Sequence, residues 1–575
     1  MKIKKVIIHN FRSITEESFI LDDFSLLVGE NNAGKTNIIT ALRLFYEEGG
    51  LKYNEKRDFP KITTIDNETW IEIEFILSNN EYEQIKDEYK NDEKTLKVRR
   101  YFKSDDNALV DPKNSNIFAY EKGKLSSNQF YGAKNISNAK LGSAIYIPEL
   151  SKTSDTLKLS GPSPLRDITN FVFKKIVSNS PSYTQLNTAL EDFNKEFKIE
   201  SEDTDFSLNS LVQDINKQIS HWDIDFGFKI NAIKPEDIVK NLLNHYITDR
   251  NLNDSEVDID NLGQGLQRHI IYTLIRLSAK YVDKKNPKKK DFNPEYTLLL
   301  FEEPEAFLHP AQQEFLNLSL HTLSNENQIL ITTHSSTFVS KNIQKIPSII
   351  KVNKQQGKSK LFQISKEKLN SILDENIGLY KHFCNLLHRD DIDIQLKNRI
   401  KEKEMGEEIP DILNKIDNES FKFSLWLDAE RAGAFFSNHV VICEGATEKV
   451  VFDYLVTNKW NDLQSKKLYI LDSLGKFNIH RFMNLFHSLG IKHSVLYDGD
   501  NEKDIQKEVN EYINSCRNEY THNIDCFEKD LETFLGYDTP KSTYIKPLIA
   551  LSKLSKDEID DEKIEALKQK FINII

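Results

Sequence analysis

The stretch Phe301-Glu302-Glu303-Pro304-Glu305 follows the apolar run Thr297-Leu298-Leu299-Leu300 and precedes Leu308-His309-Pro310. A short apolar run that ends in paired carboxylates is typical of a buried parallel strand whose carboxyl end carries acid. In an α/β ATPase, that edge of the sheet needs one group for Mg²⁺ and one that positions water for attack on a phosphate. Paired glutamates after a strand are common, however, so this motif alone leaves an ordinary structural role equally open.

The composition is that of a globular protein. The 575 residues carry a formal net charge of −12, so no overall basic field attracts nucleic acid, and DNA contacts must use local basic patches or metal ions. A chain of this length can hold about two to four domains. It shows no signal peptide and no apolar run of about 18 residues, and its four cysteines lack zinc-ligand spacing. We therefore expect a cytoplasmic protein that does not enter a membrane.

A phosphate-binding loop near the start of the chain changes the interpretation of the acidic strand. The apolar run Phe24-Ser25-Leu26-Leu27-Val28 leads into Gly29-Glu30-Asn31-Asn32-Ala33-Gly34-Lys35-Thr36, a full match to G-x-x-x-x-G-K-[ST]. The backbone N–H groups of this loop, including Asn31, Asn32 and Gly34, can surround phosphates. Lys35 can reach the β- and γ-oxygens, and the Thr36 hydroxyl can bind Mg²⁺. A strand before the loop and a helix after it complete the context, so we predict an ATP site.

Two later segments are candidates for the same site. Gly263 and Gly265 stand at the start of a predicted helix, where backbone amides can face a phosphate, although a lone G-x-G is a weak signal. A further apolar run, residues 328–333, ends at His334. A lone histidine is more often a satisfied core residue. Its place after the strand that follows the acidic strand favours contact with the γ-phosphate.

A second acidic constellation lies in the carboxyl-terminal part of the chain. One predicted buried strand ends at Glu444, with Glu448 four residues on, and another ends at Asp498-Gly499-Asp500. Parallel strands joined by helices bring both ends to one edge of a sheet. Four carboxylates there would repel one another without metal, and two cations could stabilise the attacking and leaving oxygens of a phosphodiester. The alternative for Asp-Gly-Asp alone is an ordinary turn.

Residues 1 to about 345 resemble the ATPase heads of the ABC superfamily. The SMC and RecF-like branch is the most similar, because its amino-terminal pattern matches Ile8-His9-Asn10-Phe11-Arg12-Ser13. The resemblance implies that Glu302 lies on the Mg²⁺ side, that Glu303 positions the attacking water, and that His334 is the switch histidine. It also places Gly265 in a signature loop that contacts nucleotide on a partner subunit. That loop lacks the usual Ser-Gly-Gly run, and no Q-loop glutamine can be placed.

The carboxyl-terminal constellation resembles a Toprim domain. A Toprim domain behind an ABC-type ATPase resembles the OLD (overcoming lysogenization defect) family of ATP-dependent DNA endonucleases, including Gabija-type and retron-linked antiphage nucleases. The resemblance implies a lysine near the scissile phosphate, Lys546, with Lys541 as the alternative, and gives Glu444 and Asp498 catalytic roles. It also implies one set of metal ligands: Glu444, Glu448, Asp498, Asp500 and Glu532.

We therefore expect an α/β protein with an ABC/SMC-like P-loop ATPase domain, a helical insertion and a Toprim α/β domain. The predicted segments are 1–155 and 256–348 for the two ATPase halves, 156–255 for the insertion and dimerisation, 349–436 for a helical connector, and 437–575 for the Toprim nuclease.

The expected function is an ATP-regulated DNA endonuclease of antiphage defence that uses ATP and Mg²⁺ or Mn²⁺, with two cations in the Toprim site. The expected partners are DNA, a second copy of the chain in a homodimer or higher homo-oligomer, and a defence-system protein or retron RNA/DNA. One alternative is an SMC/RecF-like DNA repair ATPase. Another is a nucleotide-controlled sensor or scaffold with a structural Toprim domain.

Overall fold

The computed structural model describes residues 1–134, 140–149, 180–196, 208–222, 224–228, 235–243, 246–250, 253–258, 296–306, 308–402, 430–502 and 505–575, with short pieces between them. These residues form two compact units. One comprises Met1–Glu149, Pro287–Ala306 and Pro310–Ile575, and the other comprises Leu150–Asn286 and Phe307–His309. Within the described ranges, no helix is both long and apolar enough to cross a membrane.

The described strands, in chain order, are β1 (Lys2–Phe11), β2 (Ile14–Ile20), β3 (Phe24–Val28), β4 (Thr69–Ile76), β5 (Thr95–Lys103), β6 (Ile117–Glu121), β7 (Lys124–Gln129), β8 (Ser143–Ile147), β9 (Ile247–Asp249), β10 (Ser255–Val257), β11 (Thr297–Glu302), β12 (Gln328–Thr332), β13 (Ile349–Gln355), β14 (Lys358–Gln363), β15 (His439–Cys443), β16 (Tyr469–Asp472), β17 (Lys492–Asp498) and β18 (Thr521–Phe527).

The described α-helices are α1 (Lys35–Tyr46), α2 (Glu55–Asp58), α3 (Asn79–Gln84), α4 (Pro181–Glu196), α5 (Leu208–Ile219), α6 (Pro235–Asn241), α7 (Pro310–Leu323), α8 (Lys366–Asn376), α9 (Gly378–His388), α10 (Ile394–Glu402), α11 (Ala446–Asn458), α12 (Asn461–Gln464), α13 (Ile479–Ser488), α14 (Ile505–Ser515), α15 (Leu531–Phe534), α16 (Lys546–Ser555) and α17 (Asp561–Ile574).

The sheet that carries the phosphate-binding loop, here called the P-loop sheet, has the strand order β14-β13-β3-β12-β11-β8. Every neighbouring pair in it is parallel except β13 with β14. Strands β3 and β12 are buried along their whole length, which fits their largely apolar sequences. Because β3, β12 and β11 are parallel neighbours, their carboxyl ends bring the loop, His334 and the paired glutamates to one edge. A separate antiparallel sheet, β2-β1-β4-β5-β6-β7, shares an apolar core with α1.

The segment predicted as a helical connector differs from the prediction at its start. Residues 349–363 are not helical: β13 pairs with β3, and β14 completes the edge of the P-loop sheet. Helices follow only from Lys366, in α8, α9 and α10. The strand was hard to recognise because Lys351 interrupts its apolar pattern, although this side chain is fully buried. The other predicted domain limits remain predictions, and α4, α5 and α6 lie in the second unit.

Strand β13 also contacts the carboxyl-terminal sheet. Lys351 Nζ donates hydrogen bonds to the carbonyl oxygens of Phe435 (2.8 Å) and Ser437 (2.9 Å), just before β15. Asn353 Nδ2 donates to the Gly490 carbonyl at 2.7 Å, just before β17. The side chains of Lys351 and Asn353 point to the same side of the strand because side chains alternate along it. One face of β13 is thus attached to the start of both acid-bearing strands.

The carboxyl-terminal sheet has the order β16-β15-β17-β18, with all strands parallel. Helices α11 and α13 connect β15 to β16 and β16 to β17, as the sequence predicts. In the register of β15 with β17, Cys443 lies opposite Leu496, so Glu444 and Asp498 follow at the same edge. An apolar core that includes Phe452, Trp460 and Phe571 supports the sheet.

Candidate functional site

The phosphate-binding loop is shaped by the close approach of the β13–β14 hairpin. Gly29 has φ +149°, and a Cβ there would lie 2.2 Å from the carbonyl oxygen of Val352. Gly34 has φ +115°, and a Cβ there would lie 2.1 Å from Ser359 Oγ. Both positions therefore require glycine, and α1 begins immediately afterwards at Lys35. The loop ends at a helix N-terminus, where backbone amides can face an anion.

Lys35 lies inside this loop and contacts the predicted switch histidine. Its Nζ donates to the carbonyl oxygens of Gly29 (2.8 Å) and Glu30 (3.0 Å), and it lies 2.9 Å from His334 Nε2. Burial lowers the pKa of Lys35 to about 8. Burial, together with the neighbouring Lys35 ammonium group, lowers the pKa of His334 to about 4. His334 is therefore neutral near pH 7, and its Nε2 can accept a hydrogen bond from Lys35.

The paired glutamates face different partners. Glu302 accepts hydrogen bonds from the Thr36 hydroxyl and the Tyr146 hydroxyl, each at 2.5 Å, so it lies beside the predicted Mg²⁺ ligand. Glu303 has φ +44°, and its Oε1 lies 3.3 Å from His334 Nε2. Burial, together with the neighbouring carboxylate of Glu149, raises the pKa of Glu303. A carboxylate with a raised pKa next to the phosphate-binding loop is suited to accept a proton from water.

Sequence reasoning missed Glu305, which joins the loops that follow β11 and β12. Its Oε1 accepts hydrogen bonds from the Thr333 hydroxyl (2.8 Å) and from the His334 backbone N–H (2.6 Å), and the side chain is buried. Glu305 therefore fixes the backbone of His334 relative to Glu303. The sequence signal was present in Glu-Glu-Pro-Glu, but its partners lie about thirty residues away and become visible only in the fold.

The remaining predicted ATP-site residues are placed as follows. Asn31 and Asn32 are exposed at the tip of the loop, and Asn32 adopts φ +66°. Gly265, the predicted signature-loop glycine, lies outside the described residues. Ser13, from the amino-terminal pattern, lies 2.7 Å from Ser359 Oγ and accepts from Asn37 of α1, so this pattern supports the first turn of the helix.

The carboxyl-terminal acids converge at the edge of the second parallel sheet. Glu444 follows β15, and its Oε2 accepts a hydrogen bond from the Asp498 backbone N–H at 3.3 Å. Glu448, in the first turn of α11, accepts from the Gly445 N–H at 2.9 Å. Asp498 ends β17 and accepts from the Leu531 N–H at 3.0 Å, which places α15 beside it. The fold therefore brings both predicted acidic motifs to one place.

Electrostatic repulsion in this cluster is strong. Burial, followed by the charges of Glu448 and Glu444, raises the pKa of Asp498 to about 9. Burial and Glu444 raise the pKa of Glu448 to about 8. Glu532 is 1% exposed, and neither of its carboxyl oxygens accepts a hydrogen bond. Its nearest cation is Lys546, with Nζ 3.6 Å from Oε1.

These observations test whether a divalent cation fits the cluster. Buried carboxylates that repel one another, with one lacking any hydrogen-bond donor, need positive charge, and carboxylate oxygens are the ligands that Mg²⁺ and Mn²⁺ prefer. In the described part of the chain, no three His, Cys, Asp or Glu side chains are already arranged around one point as metal ligands. The donor set therefore fits a divalent cation by its chemistry.

Asp500 is held differently from the other acids. Its Oδ2 accepts a hydrogen bond from Lys476 Nζ at 2.6 Å, and Lys476 is buried. Sequence reasoning did not identify Lys476. The predicted alternatives for the late lysine are also separated: Lys546 faces Glu532, whereas Lys541 is exposed.

Comparisons with known proteins agree with both halves of this arrangement. Residues 435–500 match the model described as "Overcoming lysogenization defect protein-like, TOPRIM domain". Residues 24–340 match the model described as "AAA domain, putative AbiEii toxin, Type IV TA system".

Relatives resemble the chain over most of its length. The Old nuclease of Escherichia phage P2 is 25% identical over 511 residues, which cover 87% of this chain and 77% of the relative. Endonuclease GajA of Bacillus cereus (strain VD045) is 22% identical over 536 residues, covering 90% and 79%. The SMC head domain from Thermotoga maritima aligns with 64% of this chain and all of that domain at 13% identity, with a TM-score of 0.29 that is too low to bear on the fold.

The two matched models confirm the fold class predicted from the motifs, a P-loop ATPase followed by a Toprim domain. The AAA-domain model spans more than half of the chain, and the Toprim model covers the acids Glu444, Glu448, Asp498 and Asp500. The chain thus belongs to this AAA-domain family and joins its ATPase to an OLD-like Toprim domain.

Proposed function

We propose that this protein is a divalent-metal-dependent DNA endonuclease whose cutting is regulated by ATP bound at the AAA domain. The observation that carries the proposal is the buried acid cluster at the carboxyl edge of the Toprim sheet, where Glu532 has no hydrogen-bond donor. The names of the relatives, a nuclease and an endonuclease, support the same activity. A structural Toprim domain would not need several carboxylates buried together at one edge.

In the Toprim domain, Glu444, Glu448, Asp498, Asp500 and Glu532 would hold two cations, Mg²⁺ or Mn²⁺. When bound, these cations supply Lewis-acid stabilisation of the attacking and leaving oxygens of a phosphodiester. Lys546 then presents an ammonium group beside Glu532, where it can stabilise negative charge on the scissile phosphate.

In the AAA domain, Lys35 and the loop amides would bind the ATP phosphates, and Thr36 and Glu302 would hold Mg²⁺. Glu303, whose Oε1 lies 3.3 Å from His334 Nε2, would accept the proton of the attacking water, and neutral His334 would contact the γ-phosphate. Lys35, which here donates to the loop carbonyls, would exchange these hydrogen bonds for phosphate oxygens when ATP binds. ATP binding therefore alters the contacts of the loop that rests on β13.

The assembly belongs to the same proposal. The protein acts in the cytoplasm as an antiphage effector, and its ATPase domain and insertion join copies of the chain into a homodimer or higher homo-oligomer. DNA is its substrate, and a defence-system protein or retron RNA/DNA is its partner. Neither the repair ATPase nor the scaffold alternative explains the repelling carboxylates in the Toprim domain.

Cleavage of supercoiled plasmid tests the activity. Purified protein is incubated with Mg²⁺ or Mn²⁺, with and without ATP, beside Glu444→Ala and Lys35→Ala. A matched control is Glu565→Ala, which removes an exposed carboxylate of α17 in the same domain. We expect metal-dependent cleavage that is lost in Glu444→Ala, kept in Glu565→Ala, and changed in its ATP response in Lys35→Ala. Equal cleavage by wild type and Glu444→Ala would refute the proposed nuclease site.

A further inference from the structure

The loop that follows β16 places a lysine among the Toprim acids. The Ser473 N–H donates to the Cys443 carbonyl at 3.0 Å, and the Gly475 N–H donates to the Glu444 carbonyl at 2.7 Å. Gly475 adopts φ +107°, a backbone conformation that favours glycine. This loop is therefore attached directly to the backbone of Glu444, and the next residue is Lys476.

The side chain of Lys476 is buried and has specific partners. Only 2% of the residue is exposed, although lysine is almost never buried without a partner. Its Nζ donates to Asp500 Oδ2 at 2.6 Å and to Gln506 Oε1 at 3.2 Å, and it lies 5.5 Å from the centre of the Tyr497 ring. Two hydrogen bonds thus hold the ammonium group beside the second acidic motif.

None of the other acids accepts a hydrogen bond from Lys476, although the charge of Lys476 also acts on Glu444. Glu448 and Asp498 accept hydrogen bonds from backbone N–H groups, and Glu532 has only the more distant Lys546. The acids of the cluster therefore differ in how closely a lysine approaches them. The shortest ion pair is that of Lys476 with Asp500, at 2.6 Å. A divalent cation that binds Asp500 must share this carboxylate with an ammonium group, and like charges close together repel each other.

We propose that Lys476 is a positioning residue that holds Asp500 and competes with a divalent cation for its carboxylate. In the DNA-free protein, one cation position, formed by Glu444, Glu448, Asp498 and Glu532, is then tight, and the position that includes Asp500 is weak. The second cation binds well only when the ammonium group turns away from Asp500. This inference rests on the proposed function, because it concerns the same metal centre.

Calorimetric titration of the DNA-free, full-length protein with Mn²⁺ alone tests the competition. We expect Lys476→Met to bind the weaker cation about tenfold or more tightly than wild type. Lys476→Arg keeps the positive charge and should retain weak binding. The double variant Lys476→Met/Asp500→Asn should lose the gain. A merely structural role for Lys476 predicts weaker binding in Lys476→Met, which is the opposite direction.

Lys570→Met is the matched control. Lys570 Nζ lies 2.6 Å from Asp525 Oδ2 and 5.6 Å from the Phe527 ring, so it has the same kinds of partner in the same domain, although it is less buried than Lys476. Mn²⁺ binding by this variant should equal that of wild type. Unchanged or weaker binding of the second cation in Lys476→Met would overturn the proposed competition but not the proposed metal centre. Absence of any Mn²⁺ binding by wild type would instead refute the metal centre of the proposed function.

Discussion

Replacement of Asp498 by asparagine should stabilise the metal-free protein, although Asp498 is a proposed metal ligand. The side chain is 8% exposed, and its pKa is raised from 3.8 to about 9 by burial and by Glu448 and Glu444. At pH 7 the folded protein keeps a proton that the unfolded chain releases. Each pH unit between 3.8 and 7 costs about 1.4 kcal/mol. Keeping Asp498 protonated therefore lowers the free energy of unfolding at pH 7 by about 4 kcal/mol.

Asparagine has the same shape and does not ionise, so it avoids this penalty. Its Oδ1 can still accept the hydrogen bond from Leu531 N–H, and its amide can donate to a neighbouring carboxylate. We expect Asp498→Asn to raise the free energy of unfolding of the metal-free protein by about 2–4 kcal/mol near pH 7. Because the pKa is raised, the penalty is absent below the unfolded pKa of 3.8 and grows as the pH rises towards about 9.

Thermal unfolding of wild type and Asp498→Asn, with a chelator present, measures this difference near pH 5, 7 and 9. The variant should melt at a higher temperature than wild type, by an amount that increases with pH, and Mg²⁺ should stabilise it less than wild type. Asp538→Asn, at an exposed position of the same domain, is the control. A variant that melts below wild type at every pH would show that the acid cluster is not under electrostatic strain.

Further predictions concern the ATP site and its connection to the nuclease. Glu303→Gln should still bind ATP, which a fluorescent nucleotide measures. It should hydrolyse ATP about 100-fold more slowly, as measured by the phosphate formed, because the proton acceptor is lost. Glu305→Ala should slow hydrolysis by about tenfold to 100-fold through displacement of His334, and Glu305→Gln, which keeps an acceptor oxygen, should restore most of the rate. The pH profile of hydrolysis should show no titration of His334 between pH 6 and 7, because burial lowers its pKa to about 4; a break near 6.5 that disappears in His334→Gln would contradict this. Lys351→Met should retain both metal-dependent cleavage and ATP hydrolysis but lose the effect of ATP on cleavage; an unchanged ATP response would contradict a link through β13.

The parts of the site that could be predicted from sequence are those with local causes. The spacing of Gly29, Gly34 and Lys35 is set within one turn between a strand and a helix. Likewise, Glu444 and Asp498 end apolar runs whose parallel pairing brings them together. The OLD-type combination of ATPase and Toprim domains followed from these motifs, and the matched models confirm it.

The residues that sequence reasoning missed act through distant neighbours. Glu305 matters because of Thr333 and His334, and Lys476 because of Asp500, which lies on another strand's end. Lysine is usually exposed, so the sequence alone predicts burial neither for Lys476 nor for Lys351. Only the fold shows which polar atoms satisfy these ammonium groups.

The attachment of β13 defines where the two halves of the protein could be separated. This strand pairs with β3, and its Val352 carbonyl lies against Gly29. Its Lys351 and Asn353 side chains donate hydrogen bonds to carbonyl groups just before β15 and β17. A chimaera that exchanged the nuclease half at residue 348 would divide the P-loop sheet and leave a foreign strand beneath the glycine loop. Exchange after residue 363 would preserve the sheet. The incoming Toprim domain would still need carbonyl groups positioned to accept hydrogen bonds from Lys351 and Asn353. Nuclease halves from relatives should therefore be interchangeable only together with the surface that faces this strand.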